Sequence, residues 1–138
     1  MSIEKDRRTA LKWFETAKSD LDASRLLSNY GKHAHSCFHS HQAAEKAVKA
    51  LWYLNSEDPW GHSVQKLIDH LQHVNLEFYG KLNKLIKDAK LLDRFYIPTR
   101  YPNGLPDITP DMAYDEDDSK SCIEKAENIL KTVEEVLG

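Results

Sequence analysis

A basic and aromatic segment stands out near the last third of this 138-residue sequence. It contains Arg94, Tyr96, Arg100 and Tyr101 among several prolines. A guanidinium group binds phosphate through two parallel hydrogen bonds, and a tyrosine ring can stack on a base. The segment therefore predicts a site for a phosphorylated ligand, contacted by Arg100, Tyr96 and Tyr101. In the alternative, the rings anchor the segment while Arg94 and Arg100 pair with helix carboxylates.

A second group of polar side chains interrupts a small and apolar stretch between residues 37 and 51. Polar groups on a helix at the centre of a bundle need hydrogen-bonding partners. His41 and Glu45 are four residues apart on one helix face, so a hydrogen bond between them is one interpretation. The other is a polar cleft that faces the basic segment. The candidate ligand contacts on this helix are then His41, Gln42, Glu45 and Lys49.

No metal or other cofactor is predicted. The seven histidines form pairs at helical spacing, such as His35 with His39, whereas a metal site needs three or four converging ligands. None of the five glycines belongs to a phosphate-binding loop motif, and no paired-carboxylate or nucleophile motif is present. Cys37 and Cys122 lie in apolar-periodic segments without a CxxC spacing, which predicts reduced core thiols.

Apolar residues recur at helical spacing along most of the chain, and this pattern predicts the elements that must position these groups. The first two predicted helices cover residues 9–28 and 33–55. A third is capped by Ser63 and ends near His73, and a fourth is capped by Asn75 and ends around Leu92. The last helix begins at about Asp115. The acidic run from Asp115 to Asp118 suits the positive end of a helix dipole. The second helix is apolar on two sides, so it belongs at the centre.

The segment between about Leu92 and Asp111 holds four prolines, which forbid a continuous helix. Long loops without regular structure are uncommon in compact domains and are usually functional or disordered. Short connections between the other helices favour antiparallel neighbours. We therefore predict an all-α, up-and-down antiparallel bundle of four main helices plus a short helix. It forms one domain over residues 1–138, with one long loop before the last helix.

The composition of the chain limits the classes of function that it can have. Charged residues make up 30% of the chain and the net charge is only −3, which does not indicate a nucleic-acid binder. The charged N-terminus lacks the apolar core of a signal peptide, and no apolar run is long enough to span a bilayer. A cytoplasmic location without membrane contact is expected.

Four stretches together resemble the HEPN domain family, in order and over nearly the whole chain. They are Trp13-Phe14-x-x-Ala17-x-x-Asp20-Leu21, Gln42-Ala43-Ala44-Glu45-Lys46-Ala47, His62-Ser63 and Tyr96-Ile97-Pro98-Thr99-Arg100-Tyr101-Pro102. The resemblance implies a helical bundle that forms a homodimer and is often encoded beside a minimal nucleotidyltransferase in a toxin–antitoxin-like pair. It also implies nucleotide binding. Some members are ribonucleases that use an arginine followed a few residues later by a histidine.

This sequence departs from the ribonuclease pattern, because no histidine follows any of its arginines at that spacing. The leading hypothesis is therefore a non-catalytic module that binds a nucleotide and a nucleotidyltransferase partner. One alternative is a ribonuclease with a non-standard site, in which Arg100 stabilises phosphate charge and His41 or His62 transfers protons. RNA would then be the substrate. Another is a purely structural subunit that docks through Trp52, Trp60 or the loop aromatics.

Overall fold

The computed structural model describes residues 2–138. Its α-helices are α1 (Ile3–Asn29), α2 (His33–Leu54), α3 (Val64–Asp69), α4 (Leu76–Leu82), α5 (Ile86–Asp93), α6 (Pro110–Ala113) and α7 (Glu116–Leu137), with short 3₁₀ turns at His70–His73, Asn83–Leu85 and Pro102–Gly104. The described residues contain no β-strand. Within the same part of the chain, no helix is long and apolar enough to cross a membrane.

The long helices α1, α2 and α7 pack against one another, and α2 also contacts α3 and α5. The fourth main position is filled by α4 and α5, which a single 3₁₀ turn joins, and α3 is the short helix. This arrangement confirms the predicted all-α bundle. Small residues on α2 allow its neighbours to approach closely; Ala43, Ala44, Ala47 and Ala50 are all fully buried.

The interior is apolar and includes both thiols. Cys37 on α2 and Cys122 on α7 are fully buried and free, as the sequence predicts. Hydrogen bonding to Cys37, together with burial, raises the pKa of the Cys122 thiol far above its ordinary value. Cys122 therefore acts as a small core side chain rather than as a nucleophile at neutral pH, and Cys37 is buried in the same core.

The predicted helix starts at Ser63, Asn75 and Asp115 are confirmed. The Ser63 hydroxyl accepts a hydrogen bond from the Lys66 amide at 3.1 Å. The Asn75 side chain accepts one from the amide of Phe78 at 3.1 Å. At α7, Asp115 and Asp118 form a reciprocal capping box, with distances of 3.2 and 2.9 Å. Side-chain acceptors thus satisfy amides that have no partner within the first helical turn.

Three parts of the chain differ from the prediction. α1 begins at Ile3 rather than near residue 9, because the Ser2 hydroxyl caps it by accepting from the Lys5 amide at 3.0 Å. Most side chains of this first part are charged and exposed, so apolar periodicity does not reveal it. The predicted fourth helix is instead α4 and α5 with Asn83–Leu85 between them. The long loop is also partly ordered, since Pro110 occupies the first turn of α6.

Replacing Asp115 with alanine tests the capping box. Asp115→Ala is expected to lower the free energy of unfolding by about 1 kcal/mol, because the Asp118 amide loses its acceptor. Urea unfolding followed by circular dichroism gives the measurement. The matched control, Asp117→Ala, removes a first-turn charge but leaves the box intact, and should cost roughly 0.5 kcal/mol or less. Equal losses in the two variants would contradict the role of the box.

Candidate functional site

Three helices meet at the carboxylate of Asp93, the last residue of α5. His41 Nε2 on α2 donates to Asp93 Oδ1 at 2.9 Å. Ser63 Oγ donates to Oδ2 at 2.9 Å, and the backbone amides of Val64 and Gln65 donate at 2.8 and 3.1 Å. Burial raises the pKa of the Asp93 carboxyl, but these four hydrogen bonds outweigh it and the net pKa is lowered. Asp93 is therefore held as a carboxylate.

The predicted hydrogen bond between His41 and Glu45 is wrong. His41 is fully buried, and its Nε2 donates across the helix interface to the Asp93 carboxylate on α5. Its second ring nitrogen lies 3.4 Å from the side-chain amide of Gln42. Glu45 instead accepts from Lys49, one helical turn later, at 2.9 Å. In this structure His41 positions neighbouring groups and has no surface open to a ligand.

Arg100 lies among aromatic rings. Its guanidinium carbon is 4.6 Å from the ring centre of Phe38, 4.5 Å from that of Tyr96 and 4.9 Å from that of Tyr101. Its Nε donates to the Tyr96 carbonyl at 3.1 Å. Among residues 2–138, neither Arg94 nor Arg100 has a carboxylate within salt-bridge distance. The predicted alternative of arginine–carboxylate pairing is therefore wrong for both residues.

The two predicted tyrosine contacts have different surroundings. The Tyr96 ring centre lies 5.1 Å from that of His62, 4.9 Å from that of His41 and 6.1 Å from that of Phe38, in addition to Arg100. Tyr96 is thus engaged as a packing partner that holds Arg100. Tyr101 is 51% exposed and keeps open ring surface. A ligand beside Arg100 would reach Tyr101 first.

Glu45 joins this cluster to a buried ion pair. His62 Nδ1 lies 3.3 Å from both carboxylate oxygens of Glu45. The side chains of Glu45 and Lys49 are only 5% and 10% exposed, while that of His62 is 58% exposed. Lys49 Nζ also lies 5.9 Å from the ring centre of Trp13 on α1. The structure therefore links Glu45 to Arg100 through His62 and Tyr96, whereas Lys49 faces away toward α1.

The sequence analysis missed Asp93 and Phe38 as parts of this cluster and considered His62 only as a group that could transfer protons. A signal for Asp93 was available, since a buried histidine on a central helix needs a polar partner. Phe38 fits an apolar helix stripe and gave no such signal. Within residues 2–138, no three histidine, cysteine, aspartate or glutamate side chains are grouped so as to hold a metal ion.

The fold and site together define an all-α bundle in which the segment before α6 places an arginine against the central helix α2. The model of the HEPN domain matches residues 10–136. The chain therefore belongs to the HEPN domain family.

Relatives support this assignment over nearly the whole chain. The chain is 27% identical over 130 residues to "Putative toxin MJ1304" of Methanocaldococcus jannaschii, a match covering 91% of this chain and 86% of the relative. The crystal structure of TT1696 from Thermus thermophilus is similar with a TM-score of 0.83 and 34% identity, covering 91% of this chain and 96% of that one. That of ST0689, an archaeal HEPN homologue, has a TM-score of 0.73 and 31% identity, covering 94% and 98%.

The lowered pKa of Asp93 gives a testable dependence of stability on pH. The hydrogen bonds favour the ionised form, so their contribution is complete above the carboxyl pKa of the unfolded chain, about 3.9. It is lost as the pH falls through the lower pKa of the folded state. Asp93→Asn should therefore be less stable than the wild type at pH 7, and the gap should narrow below about pH 4.

Urea unfolding at pH 7, 5 and 3 measures this gap. Asp69→Asn is a suitable control, because Asp69 is exposed and receives no side-chain hydrogen bond or ion pair from the described residues. Its stability should stay close to that of the wild type at every pH. A wild-type advantage over Asp93→Asn that is unchanged at pH 3 would contradict the assigned carboxylate.

Proposed function

We propose that this protein is a non-catalytic module that binds a phosphorylated nucleotide through Arg100. The observation that carries the proposal is a half-buried guanidinium, fixed by aromatic contacts and by the Tyr96 carbonyl, that has no carboxylate partner among the described residues. A phosphate group would supply the missing anion through a bidentate contact. The low net charge of the chain favours a small ligand over a long polyanion.

The surrounding residues have distinct roles in this proposal. Arg100 contacts the phosphate, and the exposed ring of Tyr101 covers the ligand beside it. Glu45 orients His62 at the edge of the site, and Lys49 neutralises the buried Glu45 carboxylate. Gln42, next to the His41 ring, offers an amide on the same helix. Most of the predicted ligand contacts on α2 thus support the site rather than touch the phosphate directly.

The proposal extends to a protein partner. Membership of the HEPN family and similarity to a protein named a toxin support a role in a toxin–antitoxin-like pair. We propose a nucleotidyltransferase as the partner and a homodimer as the working form, as the family resemblance implies. Co-expression with the product of an adjacent nucleotidyltransferase gene, followed by size-exclusion chromatography with light scattering, would test both assignments.

Substitution of Arg100 tests the phosphate contact. Arg100→Ala is expected to weaken nucleotide affinity about 10- to 150-fold, because hydrogen bonds to charged groups contribute about 1.5–3 kcal/mol. Arg100→Lys should recover only part of the loss, since an ammonium group keeps the charge but not the planar fork. Isothermal titration of the wild type and both variants with ATP, GTP, CTP and UTP gives the affinities.

Arg94→Ala is the matched control. Arg94 belongs to the same segment and carries the same charge, but it is exposed and makes none of the aromatic contacts of Arg100. Its replacement should leave affinity within about twofold, the size expected of a distant screened charge. If the folded wild type gives no binding heat with any of the four nucleotides, the proposed function is wrong.

A ribonuclease is the second candidate, and the contact between His62 and Glu45 favours it specifically. An exposed imidazole paired with a buried carboxylate resembles a general acid–base pair, and Tyr96 connects it to a guanidinium that could stabilise developing phosphate charge. Of the two histidines considered from the sequence, only His62 is accessible. The fully buried His41 is held by Asp93.

Cleavage assays on structured and single-stranded RNA distinguish the two candidates. If the protein is a ribonuclease, His62→Ala should lower the cleavage rate at least about 100-fold, the contribution typical of a positioned acid or base. His35→Ala is the control, because His35 is an exposed histidine in the first turn of α2, whereas His62 follows the last turn of that helix. This variant should retain the wild-type rate. Equal rates in both variants would assign the cleavage to a contaminant.

A further inference from the structure

A small cavity next to α3 adjoins the cluster formed by Arg100, Tyr96 and His62. It has a volume of about 230 Å³, and its lining includes Trp52, Trp60, His62, Lys66, Leu67 and His70. Drug-sized ligands occupy sites of about 300–1,000 Å³. This cavity therefore suits one ring system rather than a whole nucleotide.

Trp60 is the unusual member of the lining. Its indole is 84% exposed, although large aromatic side chains normally bury most of their surface. Gly61 follows it with a φ of +91°, a backbone conformation that favours glycine and turns the chain at the cavity. Trp60 thus presents a wide apolar face that nothing in the described residues covers.

The opposite side of the cavity is more rigid. The indole N–H of the half-buried Trp52 donates to the Leu67 carbonyl at 3.2 Å, which fixes that ring between α2 and α3. Lys66 and His70 are exposed one turn apart, and neither forms an ion pair within the described part of the chain. The cavity therefore combines an aromatic interior with two polar side chains, as expected where a flat heteroaromatic ring has to be held and oriented.

His62 connects this cavity to Arg100. It lines the cavity, and its ring stacks on Tyr96 at 5.1 Å with an interplanar angle of 19°. The guanidinium carbon of Arg100 lies 4.5 Å from the same Tyr96 ring centre. His62 and Arg100 are therefore separated only by these two contacts with the Tyr96 ring. An extended nucleoside triphosphate is long enough to reach from one to the other. The cavity and the arginine can therefore contact opposite ends of one ligand.

We infer that this cavity is the base subsite of the nucleotide, with the base stacked on Trp60 while Arg100 binds the phosphates. The inference rests on the proposed function, since it locates the base of the same ligand. Stacking on an aromatic side chain accepts any base, because every base has a π face. Lys66 and His70 add donors at the edge of the ring and set any preference among bases.

The experiment compares ligands with and without a base. Isothermal titration with ATP and with inorganic tripolyphosphate is carried out on the wild type, Trp60→Ala, Trp60→Phe and Arg100→Ala. Trp60→Ala should weaken ATP binding about 5- to 150-fold, the range for loss of an aromatic ring under a stacked base. Tripolyphosphate should bind this variant as it binds the wild type, and Trp60→Phe should retain most of the ATP affinity. Arg100→Ala should weaken both ligands.

Tyr30→Ala is the matched control, since Tyr30 is a comparably exposed aromatic residue, 83% accessible, at the end of α1. It should bind ATP as the wild type does. ATP should also quench the tryptophan fluorescence of the wild type more than that of Trp60→Phe. The exposure of Trp60 makes unfolding of its variants unexpected, and circular dichroism verifies their fold.

The outcomes separate this inference from the proposed function. If Arg100→Ala weakens ATP binding while Trp60→Ala does not, the base lies elsewhere and the inference is overturned, but the proposed function stands. If Trp60→Ala weakens tripolyphosphate as strongly as ATP, Trp60 acts on the phosphates or on the fold and the base subsite is rejected. If neither ligand binds the folded wild type, both proposals fail.

Discussion

The Asp93 carboxylate receives hydrogen bonds from α2 and from the start of α3 at the point where α5 ends. It serves as a distant cap for α3, because Val64 and Gln65 are first-turn residues whose amides have no helical partner. It also gives the fully buried His41 a charged acceptor. Since Asp93 immediately precedes the arginine-bearing segment, the same contacts determine where that segment leaves the bundle.

The position of Arg100 follows from this junction. Tyr96, three residues after Asp93, packs against the ring of His41, which Asp93 itself orients. The Tyr96 ring and carbonyl then hold the Arg100 guanidinium. Helix packing is thus transmitted to the guanidinium through a short series of contacts, none of which involves a long flexible side chain apart from the arginine.

The fold was predictable because its signals are local. Ser63, Asn75 and Asp115 each begin a helix by accepting an amide hydrogen bond a few residues later, and such caps are visible in the sequence. The beginning of α1 was not predictable from apolar spacing, because its first residues are mostly charged. The turn at Asn83–Leu85 carries neither proline nor glycine, so no residue signals the change from α4 to α5.

The site was predictable in its residue types and less so in their partners. Arg100 and the polar strip of α2 follow from chemistry that the sequence displays. The choice of Asp93 over Glu45 as the partner of His41 depends on a contact across 52 positions of the chain, which helical periodicity does not encode. The cavity at Trp60 likewise forms only when the loop after α2 meets α3.

The aromatic enclosure of Arg100 has a consequence for the thermodynamics of binding. A free arginine side chain loses roughly 2 kcal/mol of rotamer entropy when a ligand immobilises it. In this protein the rings of Phe38, Tyr96 and Tyr101 already restrict the guanidinium. Much of that side-chain entropy is therefore lost on folding, before any ligand binds. An anion at this arginine would therefore bind with a smaller loss of entropy than one at a mobile surface arginine.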